Sequence, residues 1–227
     1  GGLVSARGGS HWGDGGFVET SSLGGLHLST PVNASATNGK GGHWLIDPTG
    51  ILIFPGAGGS LTVGGGFVQA AGAVTSASIG DAVINAVLNM GMDLTITTDN
   101  PMASTNGNIE LQFGANIIKS MGGDATLTLR AADNIVLYGD VLSTSGVLNL
   151  NLISSDPAQA RQLGHTPVGL TAMTGSIDLN GGALSVAADW VYVAPQNFMG
   201  TPVEIHAHTI DFLARNDGDI LVQGDLF

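Results

Sequence analysis

The sequence has no cysteine and few charged residues, and each shortage excludes a class of structure or function. Without cysteine there is no disulfide, no thiolate zinc site and no cysteine nucleophile. Of 227 residues, 6 are Lys or Arg and 18 are Asp or Glu, and the resulting net charge of −12 argues against nucleic-acid binding. Apolar runs are far shorter than the roughly 20 residues that a transmembrane helix needs. The 8 prolines are too few for a collagen or a Pro-rich linker.

The chain is rich in glycine and still apolar enough to fold. Glycine accounts for 36 residues and apolar residues for 43% of the chain, a composition that excludes wholesale disorder. The first residues, GGLVSARGGS, contain no recognisable signal peptide. We expect residues 1–227 to form a single domain cut from a longer protein.

Short segments of alternating apolar and polar residues recur along the chain. This period of two is typical of strands with one buried and one solvated face. The predicted strands are Ile109–Leu111, Leu127–Leu129, Ile135–Leu137, Leu148–Leu152, Ile177–Leu179, Leu184–Val186, Val191–Val193, Val203–Ile205, Ile210–Phe212 and Ile220–Val222.

The spacing of these segments favours a solenoid. Leu127, Ile135, Leu142 and Leu148 follow one another at steps of 8, 7 and 6 residues. Three strands in about 21 residues suit one coil of a three-sided, right-handed parallel β-helix, and 227 residues would give about ten coils over about 50 Å. The fold class is therefore predicted to be all-β.

An antiparallel sandwich is the competing architecture. It would need hairpins, whose strongest signal is Asn-Gly or Asp-Gly between alternating segments. Such dipeptides occur at Asn38-Gly39, Asn106-Gly107, Asn180-Gly181 and Asp217-Gly218. The connections between Leu127 and Leu150 contain none, which favours the solenoid.

One short α-helix is predicted near residues 79–90. Ser78–Asp81 reads as a capping box, and Gly91 stands where a left-handed C-terminal cap is expected. The apolar face is predicted to consist of Val83, Ile84, Val87 and Leu88. The strand rhythm is interrupted at residues 54–77 and 155–173, which are predicted to be irregular loops.

Two blocks near the beginning of the sequence carry a family resemblance. Residues 13–21, GDGGFVETS, and residues 38–49, NGKGGHWLIDPT, resemble the GGFVETS…GKGGxWLIDPT signature of filamentous-haemagglutinin-like exoproteins, the large adhesins of two-partner secretion systems. The resemblance covers roughly residues 8–153. It implies a parallel β-helix that is exported to the surface of a Gram-negative bacterium, where it mediates adhesion, aggregation or biofilm cohesion.

The signature residues have a structural interpretation. They are Gly16, Phe17, Glu19, Trp44, Asp47 and Pro48. We expect Phe17 and Trp44 to be packing residues, and Pro48 to end a strand because it lacks the N–H that a central ladder requires. The glycines are expected at tight corners.

Two groups of residues could hold a metal. His206 and His208 stand two residues apart, so a strand would point both to one face together with Glu204. Asp217 and Asp219 resemble part of a calcium loop. A solvated strand face and an Asx turn are the structural interpretations that we favour for these groups.

Catalysis is the main functional alternative to adhesion, because polysaccharide-active enzymes also use β-helices. Most of the aspartates that could serve as catalytic carboxylates lie at the ends of predicted strands, where Asp commonly hydrogen-bonds to backbone groups of a turn. They are Asp124, Asp133, Asp140, Asp178, Asp189 and Asp211. We therefore expect no enzymatic activity and no cofactor. The expected partners are glycans or proteins of host or neighbouring cells, the outer-membrane transporter, other copies of the rod and no nucleic acid. Binding of haem-carrier proteins, as in some relatives, is a second alternative.

Overall fold

The computed structural model describes residues 3–22, 26–57, 77–98, 107–155 and 169–227. Short strands and one helix make up the regular structure of these residues. The strands up to the helix are β1 (Phe17–Ser21), β2 (His27–Leu28), β3 (His43–Asp47), β4 (Ile51–Phe54) and β5 (Ala77–Gly80), and the helix is α1 (Asp81–Asn89). The next strands are β6 (Asp93–Thr97), β7 (Ile109–Leu111), β8 (Ile117–Lys119), β9 (Ala125–Ala131), β10 (Ile135–Leu137), β11 (Val141–Ser143) and β12 (Leu148–Ser154). The last are β13 (Leu170–Met173), β14 (Ile177–Asp178), β15 (Ala183–Ala188), β16 (Trp190–Val193), β17 (Glu204–His206), β18 (Thr209–Ala214), β19 (Ile220–Val222) and β20 (Asp225–Leu226).

These strands form three sheets, and the chain visits the sheets in turn. The first sheet has the order β1-β3-β6-β9-β12-β15-β18, the second β19-β16-β13-β10-β7-β4-β5-β2, and the third β20-β17-β14-β11-β8. Neighbouring strands are parallel in each sheet. The fold is a three-sided parallel β-helix, and all ten predicted strands are confirmed. The antiparallel sandwich is wrong, because the paired strands come from successive coils and not from hairpins.

The coils are longer and fewer than the spacing predicts. Leu127 pairs with Leu150 in the first sheet and Leu150 with Leu184, so the coils there contain 23 and 34 residues. The first sheet is seven strands deep, which at about 4.8 Å per strand corresponds to about 29 Å along the axis. The prediction of about ten coils of 21 residues is wrong because the corner connections vary in length.

The core lies between the three sheets and is formed by stacked aliphatic side chains. Each inward position repeats from coil to coil, since the parallel register places equivalent residues above one another. One column in the first sheet consists of Leu94, Leu127, Leu150 and Leu184, all buried. Fully burying a side chain of this size stabilises the fold by about 1.5–3 kcal/mol, so the columns are the main source of stability.

The helix is confirmed, but its predicted start is wrong. α1 begins at Asp81 behind a Gly80 N-cap that makes no side-chain capping hydrogen bond, because Ser78 belongs to strand β5. The hydroxyl of Ser78 instead pairs with Nδ1 of His27 on β2 at 2.7 Å. The four residues of the predicted apolar face are buried, and Gly91 has the expected positive φ of +66°.

Strand β5 occupies an unexpected place in the second sheet. It follows β4 in the chain but lies between β2 and β4, paired in parallel with both. The predicted irregular segment 54–77 thus overlaps β4 at its start and β5 at its end, and residues 58–76 lie outside the described residues. The second predicted loop, 155–173, is corrected at residues 170–173, which form β13; residues 156–168 lie outside the described residues.

Polar side chains at the corners connect each coil to the next. At one corner, Oδ1 of Asn116 accepts the N–H of Asp140 at 2.9 Å, and Oδ1 of Asp140 accepts the N–H of Ser176 at 2.8 Å. At another, Oδ1 of Asp124 accepts the N–H of Val147 at 2.8 Å. These bonds satisfy backbone donors where the strands end, so Asp124 and Asp140 have the structural role expected of aspartates at corners.

Candidate functional site

A concave surface lies at the corner between the second and third sheets. It is a groove of about 470 Å³ lined by Glu110, Gln112, Phe113, Tyr138 and Phe198. We call it the aromatic groove. Its volume falls within the range of about 300–1,000 Å³ that is usual for small-molecule sites.

Two successive coils supply the floor of the aromatic groove. Glu110 is the outward residue of β7, and Gln112 follows that strand. Tyr138 follows β10 and takes the position next to Gln112, because its N–H bonds to the carbonyl of Leu111 at 2.9 Å. The parallel register between β7 and β10 thus brings residues far apart in sequence to one face.

The wall of the groove comes from the connection between β16 and β17. Gln196 and Pro202 form an antiparallel bridge, and between them Oδ1 of Asn197 accepts the N–H groups of Met199 and Thr201 at 2.9 and 3.0 Å. These bonds fix the tip of the loop, so Phe198 is held over the corner. Its side chain remains 69% exposed.

Three aromatic rings meet at the groove at steep angles to one another. The ring of Phe198 lies 6.2 Å from that of Phe113 with an interplanar angle of 88°, and 5.5 Å from that of Tyr138 with an angle of 53°. Phe113 is also exposed, to 54%. The rings therefore form a concave corner and not a flat platform.

A carboxylate lies beside these rings. Nε2 of Gln112 donates to Oε1 of Glu110 at 2.6 Å, which fixes the position of the carboxylate. Burial raises the pKa of Glu110 above its ordinary value, because a charged carboxylate loses water at the groove. No Lys, Arg or His is among the described residues that line the groove.

The predicted histidine pair is not brought together on one strand. His206 is the last residue of β17, whereas His208 lies in the bend before β18. Nε2 of His206 contacts Oε2 of Glu204 at 3.2 Å, as expected for two residues on one strand face, and its ring stacks on Phe227 at 4.7 Å. His208 uses its N–H for the carbonyl of Gly182.

The segment that contains Asp217 and Asp219 forms a tight turn, the kind of structure that we favour for it over a calcium loop. The N–H of Gly218 bonds to the carbonyl of Arg215 at 2.9 Å, and the two central residues Asn216 and Asp217 have φ of +52° and +59°. Asp219 follows the turn on the surface. Within the described ranges, no group of three or more His, Asp or Glu side chains is placed to hold a metal ion.

The signature residues divide between the core and an exposed edge. Trp44 is buried, and its Nε1 donates to the hydroxyl of Thr20 at 3.0 Å, which confirms its packing role. Phe17 does not pack in the core: it lies on the outer face of β1, 58% exposed, with its ring edge-on to His43.

The other signature residues lie on or next to strands β1 and β3. Asp47 is the last residue of β3, and Pro48 ends the strand as predicted. Pro48 is buried. Gly16 precedes β1 and bonds through its N–H to the carbonyl of Ala6 at 2.7 Å. Glu19 lies on the exposed face of β1 and accepts a hydrogen bond from the hydroxyl of Ser21.

The sequence reasoning did not find the aromatic groove. Its lining residues are separated by up to 88 positions, and Phe198 reaches the groove only through the loop. An available signal was that Phe113 and Tyr138 each follow a predicted strand, Ile109–Leu111 or Ile135–Leu137, so stacked coils would bring them close.

The chain matches no protein-family model and no curated protein. In the part of the chain that the structure describes, no helix has the length and apolar character needed to pass through a bilayer.

Proposed function

We propose that this chain is a non-catalytic structural and adhesive segment of a secreted bacterial adhesin of the filamentous-haemagglutinin-like kind. It is displayed at the surface of a Gram-negative bacterium after export through an outer-membrane transporter. There it acts as a stiff rod that promotes adhesion, aggregation or biofilm cohesion. Its partners are glycans or proteins of host or neighbouring cells, and other copies of the rod.

The observation that supports this proposal is the unbroken stack of parallel strands. In the first sheet, seven strands are joined in one ladder from β1 to β18, while the second and third sheets form the other sides. Repeats that contact only their neighbours make an extended rod whose length grows with coil number. Such a rod suits the display of a binding surface away from a cell.

The outward faces supply the surface that a partner would meet. The outward residues of the neighbouring strands β9 and β12 include Thr126 and Thr128 beside Asn149 and Asn151. The side-chain amide of Asn151 donates a hydrogen bond to the hydroxyl of Thr128 at 3.3 Å. Polar rows of this kind hydrogen-bond readily with hydroxyl-rich ligands.

The proposal is tested by coating beads with the purified chain and measuring cell adhesion, bead aggregation and binding to an array of glycans and host proteins. Adhesion or array binding above beads coated with the heat-denatured chain supports an adhesive role. A chain that gives neither signal contradicts that role. Retention of haemopexin on a column would instead favour the haem-carrier alternative.

The enzymatic alternative is tested with a panel of acidic and neutral polysaccharides. We expect the chain to release neither reducing ends nor unsaturated products above the heat-denatured control. Release of either product would overturn the non-catalytic assignment.

A further inference from the structure

We infer that the aromatic groove binds an alkylated ammonium group, such as the trimethylammonium group of choline. The inference goes beyond the adhesive role and does not depend on it. It rests on the shape of the groove, on the chemistry of its lining and on the rigid loop that completes it.

The lining is electron-rich on several sides. The rings of Phe113, Tyr138 and Phe198 line the groove, and the face of an aromatic ring attracts cations within about 6 Å of its centroid. Glu110 adds a carboxylate at the same surface. Since no described cationic residue lines the groove, this negative potential is available to a ligand.

The angles between the rings select the shape of the ligand. A sugar ring stacks best on a flat aromatic face, whereas Phe198 stands at 88° to Phe113 and at 53° to Tyr138. A concave corner of inclined rings contacts a compact, roughly spherical group on several sides. The methyl groups of an alkylated ammonium bury apolar surface against the rings while the positive charge remains beside the carboxylate.

The state of Glu110 agrees with a cationic ligand. Burial raises the pKa of this side chain because its charged form is poorly solvated, and a bound cation would stabilise that charged form. Anions are disfavoured by the same carboxylate. A metal ion is disfavoured because Glu110 is the only carboxylate among the described residues of the lining.

The deciding experiment titrates the chain with choline and with 3,3-dimethylbutan-1-ol, which has the same shape without the charge. NMR shifts of Tyr138 and Phe198 would locate the binding, and calorimetry would measure it. We expect choline to bind at least about fivefold more tightly than the neutral alcohol, as a cation–π contribution predicts. Equal affinities, or no shift with choline, would overturn the inference, as would binding of a methyl glycoside but not of choline.

One variant and one control test the contribution of the aromatic ring. Phe198→Leu keeps an apolar side chain but removes the ring, and we expect it to weaken choline binding at least about fivefold. Phe17→Leu removes another exposed ring, far from the groove in the first sheet, and should leave binding unchanged. Equal melting temperatures would show that the variants are folded.

The role of Glu110 is tested by pH. Because the carboxylate must be ionised to attract the cation, affinity should fall as the pH decreases through its raised pKa. Glu110→Gln should weaken binding at neutral pH and abolish this dependence. A pH dependence that persists in Glu110→Gln would contradict the assignment of the carboxylate.

Two experiments distinguish a lipid headgroup from a soluble molecule as the source of the ammonium group. Flotation with phosphatidylcholine vesicles, in competition with free choline and with phosphatidylglycerol vesicles as control, tests a lipid headgroup. Binding of choline without flotation identifies a soluble ligand. Failure in both experiments overturns the inference and leaves the adhesive proposal untouched.

Discussion

The side chain of Asn85 accepts a hydrogen bond from the backbone N–H of Ile118 at 2.7 Å. Ile118 belongs to β8, the first strand of the third sheet, and Asn85 belongs to α1. Asp81 and Asn89, one turn before and after Asn85, accept the N–H groups of Asn116 and Ser120 in the same way. The polar face of the helix thus substitutes for a missing strand and covers an edge that would otherwise invite pairing with another chain.

Asn85→Ala should destabilise the fold by about 1 kcal/mol, since a strand N–H loses its partner. The loss should appear although Ala is the better helix former. Urea denaturation followed by circular dichroism measures it. Ala82→Asn, at an exposed position of the same helix, is the control for propensity alone. An Asn85→Ala variant as stable as the parent chain would show that the edge is not stabilised by this contact.

Gly139→Ala should be among the most damaging small substitutions. A Cβ at this position would lie 1.7 Å from the carbonyl oxygen of Ala115 in the preceding coil, so the coils would have to separate. We expect a loss of about 3 kcal/mol, as for severe overpacking. Gly123→Ala is the matched control, because its Cβ would meet no atom within 4 Å. Similar melting temperatures for the two variants would refute the close approach of the coils.

Lys119 should make the free energy of unfolding depend on pH in the alkaline range. Its buried ammonium donates to the carbonyls of Met121 and Ser145, and burial lowers its pKa while nearby Asp124 partly opposes that change. Since the folded state releases this proton more readily than the unfolded state, stability should rise as the pH increases from the lowered pKa towards about 10.4.

The comparison of two substitutions isolates this effect from other groups that titrate in the same range. Lys119→Met should remove the component of the pH dependence that belongs to Lys119. Lys40 is the other lysine of the chain and is exposed. Lys40→Met should therefore leave the pH dependence of stability unchanged. Urea denaturation at several pH values would show the difference, and identical profiles for the two variants would contradict the prediction.

Asn197→Ala should loosen the loop that holds Phe198 without unfolding the β-helix. The substitution removes the acceptor of the Met199 and Thr201 N–H groups. Hydrogen exchange of these two amides should accelerate, and choline binding should weaken, while the melting temperature stays within about 1–2 °C because the loop lies outside the core. Unchanged exchange would show that the loop is held by other contacts.

The strands and their stacking were predictable because they depend on local patterns. Leu127, Leu129 and Leu150 alternate with polar residues, and this alternation determines which side chains face the core. The coil length was not predictable, since the chain from Leu150 to Leu184 passes through β13, β14 and corner connections whose lengths no periodicity fixes. The steps of 8, 7 and 6 residues that begin at Leu127 come from the coil between β9 and β12, which is the shortest coil in the first sheet after β6.

The functional surfaces were harder to predict because they depend on contacts between distant segments. The pattern Ser78–Asp81 predicts a capping box, but Ser78 lies in strand β5. The pairing of this strand in the sheet overrides the local preference of Ser78 for a helix N-cap. His208 leaves the strand that period two would continue. Phe198 acquires its neighbours only when the loop around Asn197 folds back over Tyr138.

The insertion of β5 between β2 and β4 has a consequence for biogenesis. From β6 onwards, each coil can be added to a finished one as the polypeptide emerges, in the order of translation. At the amino-terminal end this order is impossible. The edge of β4 that faces away from β7 has no partner until β5, which is synthesised later, pairs with it. We therefore expect this end to close as a unit and then to provide the template on which the remaining coils form.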